Sequence, residues 1–328
     1  MLRKILTASL ATLSLATLAL PAAAQEINFG IISTEAASHL RADWEPILAD
    51  MEKKTGYKVK AFFANDYTGI IEGMRFGKVQ VAFMGNKSGM ETVDRANGEV
   101  FAQLTYADGS PGYWSLLITH KDSPYKTVDD VLKRGKDINY GAGDPQSTSG
   151  TLVPGYYLYA LNGIEPKTHY KSMRVGNHET NLMATSAKQV DVAITNTEVW
   201  TKFQNREPEK AANIRILWKS PLIAADPMLW RKDLPADMKA KVKGFFMAYG
   251  RGDSAEAKRE LANMNKLTFG TFNDSSNAQL VPFRQLELFK DKAKLEADAN
   301  MDAATKQAKL AEINKQLADL NGQLAAAK

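Results

Sequence analysis

The chain has 328 residues, 42 Lys plus Arg against 37 Asp plus Glu, a formal charge of +5, 44% hydrophobic residues and no cysteine. That length is enough for two lobes, while the missing cysteine excludes disulfides, thiol catalysis, Cys-ligated metals and a lipidated N-terminal Cys. Acidic and basic residues are interspersed with no basic block or nucleic-acid motif, which argues against a nucleic-acid partner.

Residues 1–24 carry Arg3 and Lys4, an apolar run from Ile5 to Leu20, then Pro21 and Ala22-Ala23-Ala24. This is the three-part pattern of a secretory signal peptide, and it predicts export to the periplasm with cleavage after Ala24. A membrane anchor is disfavoured because Thr and Ser interrupt the run and it falls short of about 20 residues. Losing Arg3 and Lys4 with the leader lowers the formal charge by two, to +3, a mild basicity suited to an anionic ligand.

Glu26 to Ser33 alternates as a strand, and Leu40, Trp44, Ile47 and Met51 then recur at helical spacing up to Thr55-Gly56. A strand at Tyr57 to Ala64, a helix opening near Asp66-Tyr67 and a strand at Val79 to Met84 complete a β-α-β-α-β unit. That order predicts a largely parallel sheet with its ligand loops at the carboxyl ends of the strands. The pattern restarts after Tyr113 to Thr119, with a helical turn at Val128 to Leu132, a strand at Ile138 to Gly141 and a helix at Leu152 to Leu161. A strand at Lys171 to Val175, a helix at Glu179 to Ala187 and a strand at Val190 to Thr195 follow. Extended segments from Ile214 to Trp230, broken at Ser220-Pro221 and Asp226-Pro227, return the chain to the first unit. The expected division is 25–118 with 220–290 as one lobe, 119–219 as the other, and a C-terminal helix over 291–328. In that helix Leu310, Ile313, Leu317, Leu320 and Leu324 form a short heptad seam, open to packing on its own domain or to a homodimer contact.

Ser147-Thr148-Ser149 lies between the strand ending at Gly141 and an apolar helical pattern. One hydroxyl suffices for an N-cap; three beside the free N–H groups of a helix start also make a socket for a tetrahedral oxyanion. Cap and socket are both open on these residues alone.

In order along the chain, Asn28-Phe29-Gly30-Ile31-Ile32-Ser33-Thr34-Glu35, Asp66-Tyr67-Thr68-Gly69-Ile70-Ile71, Asp108-Gly109-Ser110-Pro111-Gly112-Tyr113-Trp114, the Ser-Thr-Ser loop, Gly176-Asn177-His178-Glu179-Thr180-Asn181, Asn196-Thr197-Glu198 and Trp218-Lys219-Ser220-Pro221 carry a resemblance. With these segments the chain resembles the phosphonate-binding components of ABC importers over nearly its whole mature length. The resemblance implies an α/β, two-lobed periplasmic binding protein of type II kind, hinged, closing over phosphonate and delivering it to an importer permease and ATPase. It implies phosphonate contacts from Tyr67, Tyr113, Ser147, Thr148, Ser149 and His178. Two family carboxylates that receive a ligand amino group match Glu198 and Asp226, which makes 2-aminoethylphosphonate the expected ligand. A departure falls at Phe83-Met84, where the family pattern has Trp-Tyr, and it would reshape the alkyl pocket if either side chain faced the cleft.

A receptor for phosphite, methylphosphonate or another small oxyanion is the alternative; it would leave Glu198 and Asp226 unused. A periplasmic phosphonate hydrolase would need a nucleophile, base or metal motif, and none is present. The four histidines, His39, His120, His169 and His178, have no ligand spacing, so neither a metal, a cofactor nor a catalytic residue is expected.

Overall fold

A computed structural model describes residues 26–326, so the expected leader and its cleavage after Ala24 lie outside the described residues. The chain runs β1 (Glu26–Ile31), α1 (Ala37–Thr55), β2 (Lys58–Phe63), α2 (Tyr67–Arg75), β3 (Val81–Phe83), α3 (Asn86–Arg95) and β4 (Gly98–Tyr106). It crosses through β5 (Gly112–Tyr113) into β6 (Ser115–His120), α4 (Val128–Lys133), β7 (Asn139–Ala142) and a wide helix over residues 148–159 that tightens into a 3-10 turn at Ala160–Asn162. Then come α5 (Pro166–His169), β8 (Ser172–Val175), α6 (His178–Ser186), β9 (Val192–Asn196), α7 (Thr197–Arg206), α8 (Pro208–Ala211) and β10 (Ile214–Lys219). After β11 (Ile223–Ala224) follow β12 (Pro227–Arg231), α9 (Ala236–Ala248), α10 (Ala255–Lys266), β13 (Phe269–Asp274), α11 (Val281–Ala297) and α12 (Ala303–Ala326).

Two sheets result, one of order β13-β4-β12-β3-β1-β2 and one of order β10-β6-β9-β7-β8, and each centres a lobe. Only β2-β1-β3 and β8-β7-β9 are parallel; the expected largely parallel sheets are mixed, because the return strand β12 and the crossing strand β6 enter antiparallel. The expected lobe boundary at 118 falls inside β6, whose residues pair with β9 and β10 of the second sheet. The crossing therefore lies before Ser115, where β5 pairs with β11 as a two-stranded ribbon between the lobes.

Alternation and helical spacing build the cores. On β6, Leu116 and Ile118 join Leu182, Val199 and Phe203 on one face, while Leu117 joins Tyr140, Val192 and Ile194 on the other. A strand covered on both faces has to be apolar at successive positions. In the first lobe α1 buries Leu40, Trp44, Ile47, Leu48 and Met51 and stops at Gly56, whose left-handed φ of 76° allows its N–H to close on Glu52 O. Trp44 is 1% exposed and lies with its ring 5.2 Å from Phe29 and 5.4 Å from Phe83. Phe83 is thereby committed to the core of the first lobe, also 5.4 Å from Phe269, and does not reshape an alkyl pocket as its departure from the family pattern suggested.

At the C-terminus the expected single helix is interrupted at residues 298–302, and α12 lies back along α11. Leu317 and Leu320 of the heptad seam are buried, and Gln285–Asn321 and Lys292–Asn314 hydrogen bonds join the two helices. Of the two uses open to the seam, packing on the chain's own α11 is the one displayed. Among the described residues no helix is long and apolar enough to cross a membrane.

Replacing Trp44 with Ala empties the largest side chain of this core and is expected to remove about 3–5 kcal/mol of stability. Urea unfolding followed by circular dichroism checks this; a loss below about 1 kcal/mol, far under the usual cost of removing a buried aromatic side chain, would contradict the packing described.

Candidate ligand-binding site

The cleft between the lobes is faced by helix starts. β1, β2, β3, β7, β8 and β9 end there, and α2, α3, the wide helix, α6 and α7 begin there, so their first N–H groups lie at one level. Asp66, Asn177 and Asn196 cap α2, α6 and α7 through hydrogen bonds from Gly69 N, Thr180 N and Val199 N. Each cap holds a helix start whose next residues face the cleft: Tyr67 on α2, His178 on α6, Glu198 on α7.

The wide helix opens at Thr148, four residues earlier than the apolar pattern predicts. Gly143, after β7, lies against Gly150; a Cβ on Gly143 would stand 2.5 Å from Gly150 Cα, so this approach needs glycine. The first turn is wound wide, with Val153 N–H reaching back to Thr148 O. Such turns recur at functional sites.

Of the three hydroxyls, only Ser147 is the cap, accepting from Gly150 N at 2.9 Å. Thr148 Oγ1 accepts from Lys87 N of the other lobe at 2.9 Å, and Ser149 Oγ accepts from Asn196 Nδ2 at 3.2 Å. A hydroxyl that is already accepting from an N–H keeps its own hydrogen to donate. Three oriented O–H donors therefore sit at one helix start, all nearly fully buried. His178 Nε2 lies 3.4 Å from Ser147 Oγ and 3.5 Å from Ser149 Oγ. Burial lowers the His178 pKa to about 4, so near neutral pH the imidazole is uncharged and has one N–H to give. Its Nδ1 has no hydrogen-bond partner among the described residues.

Tyr67, on the opposite lobe, is 2% exposed and donates its backbone N–H to Asp144 Oδ2 at 3.2 Å. Burial first, then the charges of Asp144 and Asp226, push its phenol well up, so it remains an O–H donor.

The two carboxylates stand beside this socket on different lobes. Asp226, just before β12, accepts from Tyr113 Oη at 3.1 Å and from Asn86 Nδ2 at 2.9 Å. Glu198 accepts from Tyr106 Oη at 2.7 Å, with Asn196 Nδ2 at 3.5 Å. All these donors are neutral. Burial pushes Glu198 up to about 7, and it pushes Asp226 well above the ordinary carboxylate range, with the charge of Glu198 adding to the rise. Tyr106, Tyr113, Glu198 and Lys202 also line a cleft of about 410 Å³.

Of the eight residues expected in the site, hydrogen-bond distances join Ser147 and Ser149 to His178, and Tyr113 to Asp226, while Tyr113 and Glu198 line the 410 Å³ cleft. Four residues that the sequence did not single out contact these. Asn86 and Tyr106 hold the two carboxylates, Asn196 bridges Ser149 to Glu198, and Lys87 aligns Thr148 across the lobes. Among the described residues no group of three or more His, Cys, Asp or Glu could hold a metal ion. The arrangement can bind an anion at one end and a cation at the other; it has no activated nucleophile.

Known proteins identify the family. The family model described as the phosphonate, periplasmic substrate-binding protein of ABC transporters matches residues 29–279. The phosphonates-binding periplasmic protein of Escherichia coli (strain K12) is 50% identical over 305 residues, covering 92% of this chain and 88% of that protein. A crystal structure of a binding-protein component of an ABC phosphonate transporter from Pseudomonas aeruginosa superposes with a TM-score of 0.90 at 48% identity, over 93% of this chain and 99% of the other. A Prochlorococcus marinus (MIT 9301) protein solved in complex with methylphosphonate shares the fold, with a TM-score of 0.69 at 19% identity over 80% and 97% of the two chains. With the matching profile and the half-identical relative both spanning the two lobes, the chain belongs to the periplasmic phosphonate-binding proteins of ABC transporters, a family of transport receptors rather than enzymes.

Proposed function

We propose that the chain captures a small zwitterionic aminoalkylphosphonate, 2-aminoethylphosphonate foremost, between its lobes and hands it to the permease and ATPase of an ABC importer after export and removal of residues 1–24. The observation that carries this is the pair Glu198 and Asp226, enclosed beside an anion socket and held by neutral donors alone. Two such carboxylates repel an anionic ligand unless it also carries a cation, and an ammonium group two carbons from the phosphonate supplies one. Ser147, Thr148, Ser149, His178, Tyr67 and Tyr113 then serve the phosphonate end.

A receptor for methylphosphonate or phosphite is the competing reading, favoured by the amine-free ligand of the Prochlorococcus structure. Calorimetric titration with 2-aminoethylphosphonate, ethylphosphonate, methylphosphonate, phosphite and phosphate separates the two. Equal affinity for ethylphosphonate and its amine-bearing counterpart would defeat the proposal.

The two halves of the site respond differently to substitution. Thr148→Val or Ser149→Ala removes one hydrogen bond to a charged group and is expected to weaken every phosphonate about 10- to 150-fold. Ser147→Ala also removes the helix cap, so it costs stability of about 1 kcal/mol besides. Glu198→Gln should weaken 2-aminoethylphosphonate by a similar factor while sparing or improving ethylphosphonate, measured in the same titrations. Equal losses for both ligands would make Glu198 a residue of closure, not of amine recognition.

The raised pKa of Glu198 fixes the sign of a pH effect. Its folded value of about 7 lies above the unfolded one, so the folded protein holds a proton that the unfolded chain releases. Stability of the ligand-free protein is therefore greatest below the unfolded value and falls as pH rises toward about 7. An ammonium takes that proton's place, so affinity for 2-aminoethylphosphonate, divided by that for ethylphosphonate, should rise by up to about tenfold per pH unit between about 5 and 7. Parallel profiles for the two ligands would remove Glu198 from the amine contact.

A further inference from the structure

Beside the site, a second charge network joins the lobes. Glu35, in the loop after β1, is 2% exposed, and its carboxylate is held by Lys202 Nζ and by Arg206 Nη1 at 2.6 Å, both from α7 of the other lobe. Arg206 also pairs with Asp43 of α1. Burial alone would raise the Glu35 pKa; the two cations outweigh it and hold the carboxyl below its ordinary range. Along the same edge Glu179 accepts from Ala36 N and meets His39 Nδ1, each at 2.7 Å.

Lys202 is one helical turn beyond Glu198 on α7, and both line the same cleft. A glutamate followed four residues later by a lysine is the favourable order for an ion pair along a helix. Lys202 therefore has two candidate partners, Glu198 on its own helix and Glu35 on the other lobe. In this structure, where the lobes meet, it pairs with Glu35 and acts on Glu198 only through its charge, while Tyr106 and Asn196 make the hydrogen bonds to Glu198.

We infer that Lys202 exchanges partners as the lobes close, leaving Glu198 for Glu35, and that Glu35 and Lys202 thereby set selectivity for amine-bearing ligands without touching them. While the lobes are apart, Glu35 is out of reach and Lys202 neutralises Glu198. Closure withdraws that lysine, so the carboxylate is satisfied only if the ligand brings its own cation. An amine-free ligand closes the lobes around an uncompensated negative charge, which acts against it. The inference rests on the reading of Glu198 as an amine-binding residue. Glu35 and Lys202 are positioning residues.

The readout is the ratio of affinities for 2-aminoethylphosphonate and ethylphosphonate, taken by calorimetry. In Glu35→Gln nothing withdraws Lys202 from Glu198, and the ratio is expected to fall at least about tenfold, the scale of one charge-assisted hydrogen bond. Adding Lys202→Gln to that variant removes the competing lysine and should return the ratio to within about threefold of wild type. Arg206→Gln weakens the lobe contact without freeing Lys202 and should lower both affinities together. An unchanged ratio in Glu35→Gln, or no recovery in the double variant, overturns the exchange. If circular dichroism shows Glu35→Gln unfolded, Glu35→Asp, which keeps the charge and shortens its reach, decides the matter: a lowered ratio supports the exchange and an unchanged one overturns it. A wild-type ratio near one is a separate outcome, seen before any variant is made, and removes the reading of Glu198 together with this inference.

Discussion

Two carboxylates, Asp226 buried and Glu198 partly so, that accept hydrogen bonds from no basic side chain are the constraint around which the cleft is built. Burial raises both pKa values, the charge of Glu198 adds to the rise at Asp226, and each keeps its place through a tyrosine hydroxyl and an asparagine amide. Those donors stabilise the charge without cancelling it, so the pair carries a standing demand for a proton or another cation. The tyrosines must stay protonated to donate; burial and the neighbouring negative charges push Tyr106 and Tyr113 well up. The opposite end of the cleft is built the other way round. Ser147, Thr148, Ser149 and a neutral His178 meet an anion with hydroxyl and helix-start dipoles rather than with lysine or arginine. The two carboxylates accept hydrogen bonds from neutral groups only, and on the proposed reading the ligand would bring the compensating positive charge.

Much of the architecture is legible in the sequence because it rests on apolar periodicity. Trp44 with its helical neighbours and Leu116 to Ile118 on their strand are each where pattern and burial agree. The unread parts have physical reasons. α3 buries Asn86, Lys87, Ser88 and Thr92 against the site, and a helix with a polar inner face shows no apolar stripe to find. The wide helix begins at Thr148 through the contact of Gly143 with Gly150, a long-range approach that the apolar run from Leu152 does not announce. β6 was divided at residue 118 because an apolar run does not say which sheet it joins; its partners β9 and β10 are about 75 to 100 residues away.

For the site itself, the triple hydroxyl was visible as an excess over what one cap requires, and Ser147 is indeed the only one of the three that caps. Glu198 and Asp226 carry no local mark at all. Only the family resemblance points to them, and what distinguishes them in the fold is contact with Tyr106, Tyr113 and Asn86, spanning 92, 113 and 140 residues. Tyr106 and Asn86 are ordinary letters in sequence and become specific only through those partners.

The hydrogen bond from Lys87 N to Thr148 Oγ1 joins one lobe's backbone to the other lobe's hydroxyl. Ser147 and Ser149 are instead positioned from within their own lobe, so Thr148 alone of the three depends on a contact across the lobes. The third is aimed only after the lobes have met. If these hydroxyls hold the phosphonate as proposed, capture would begin on an incomplete socket, and the last donor would act on the lifetime of the complex more than on the rate of encounter. A receptor built this way collects its cargo quickly, holds it while shut, and loosens its grip at the anion end when an importer prises the lobes apart.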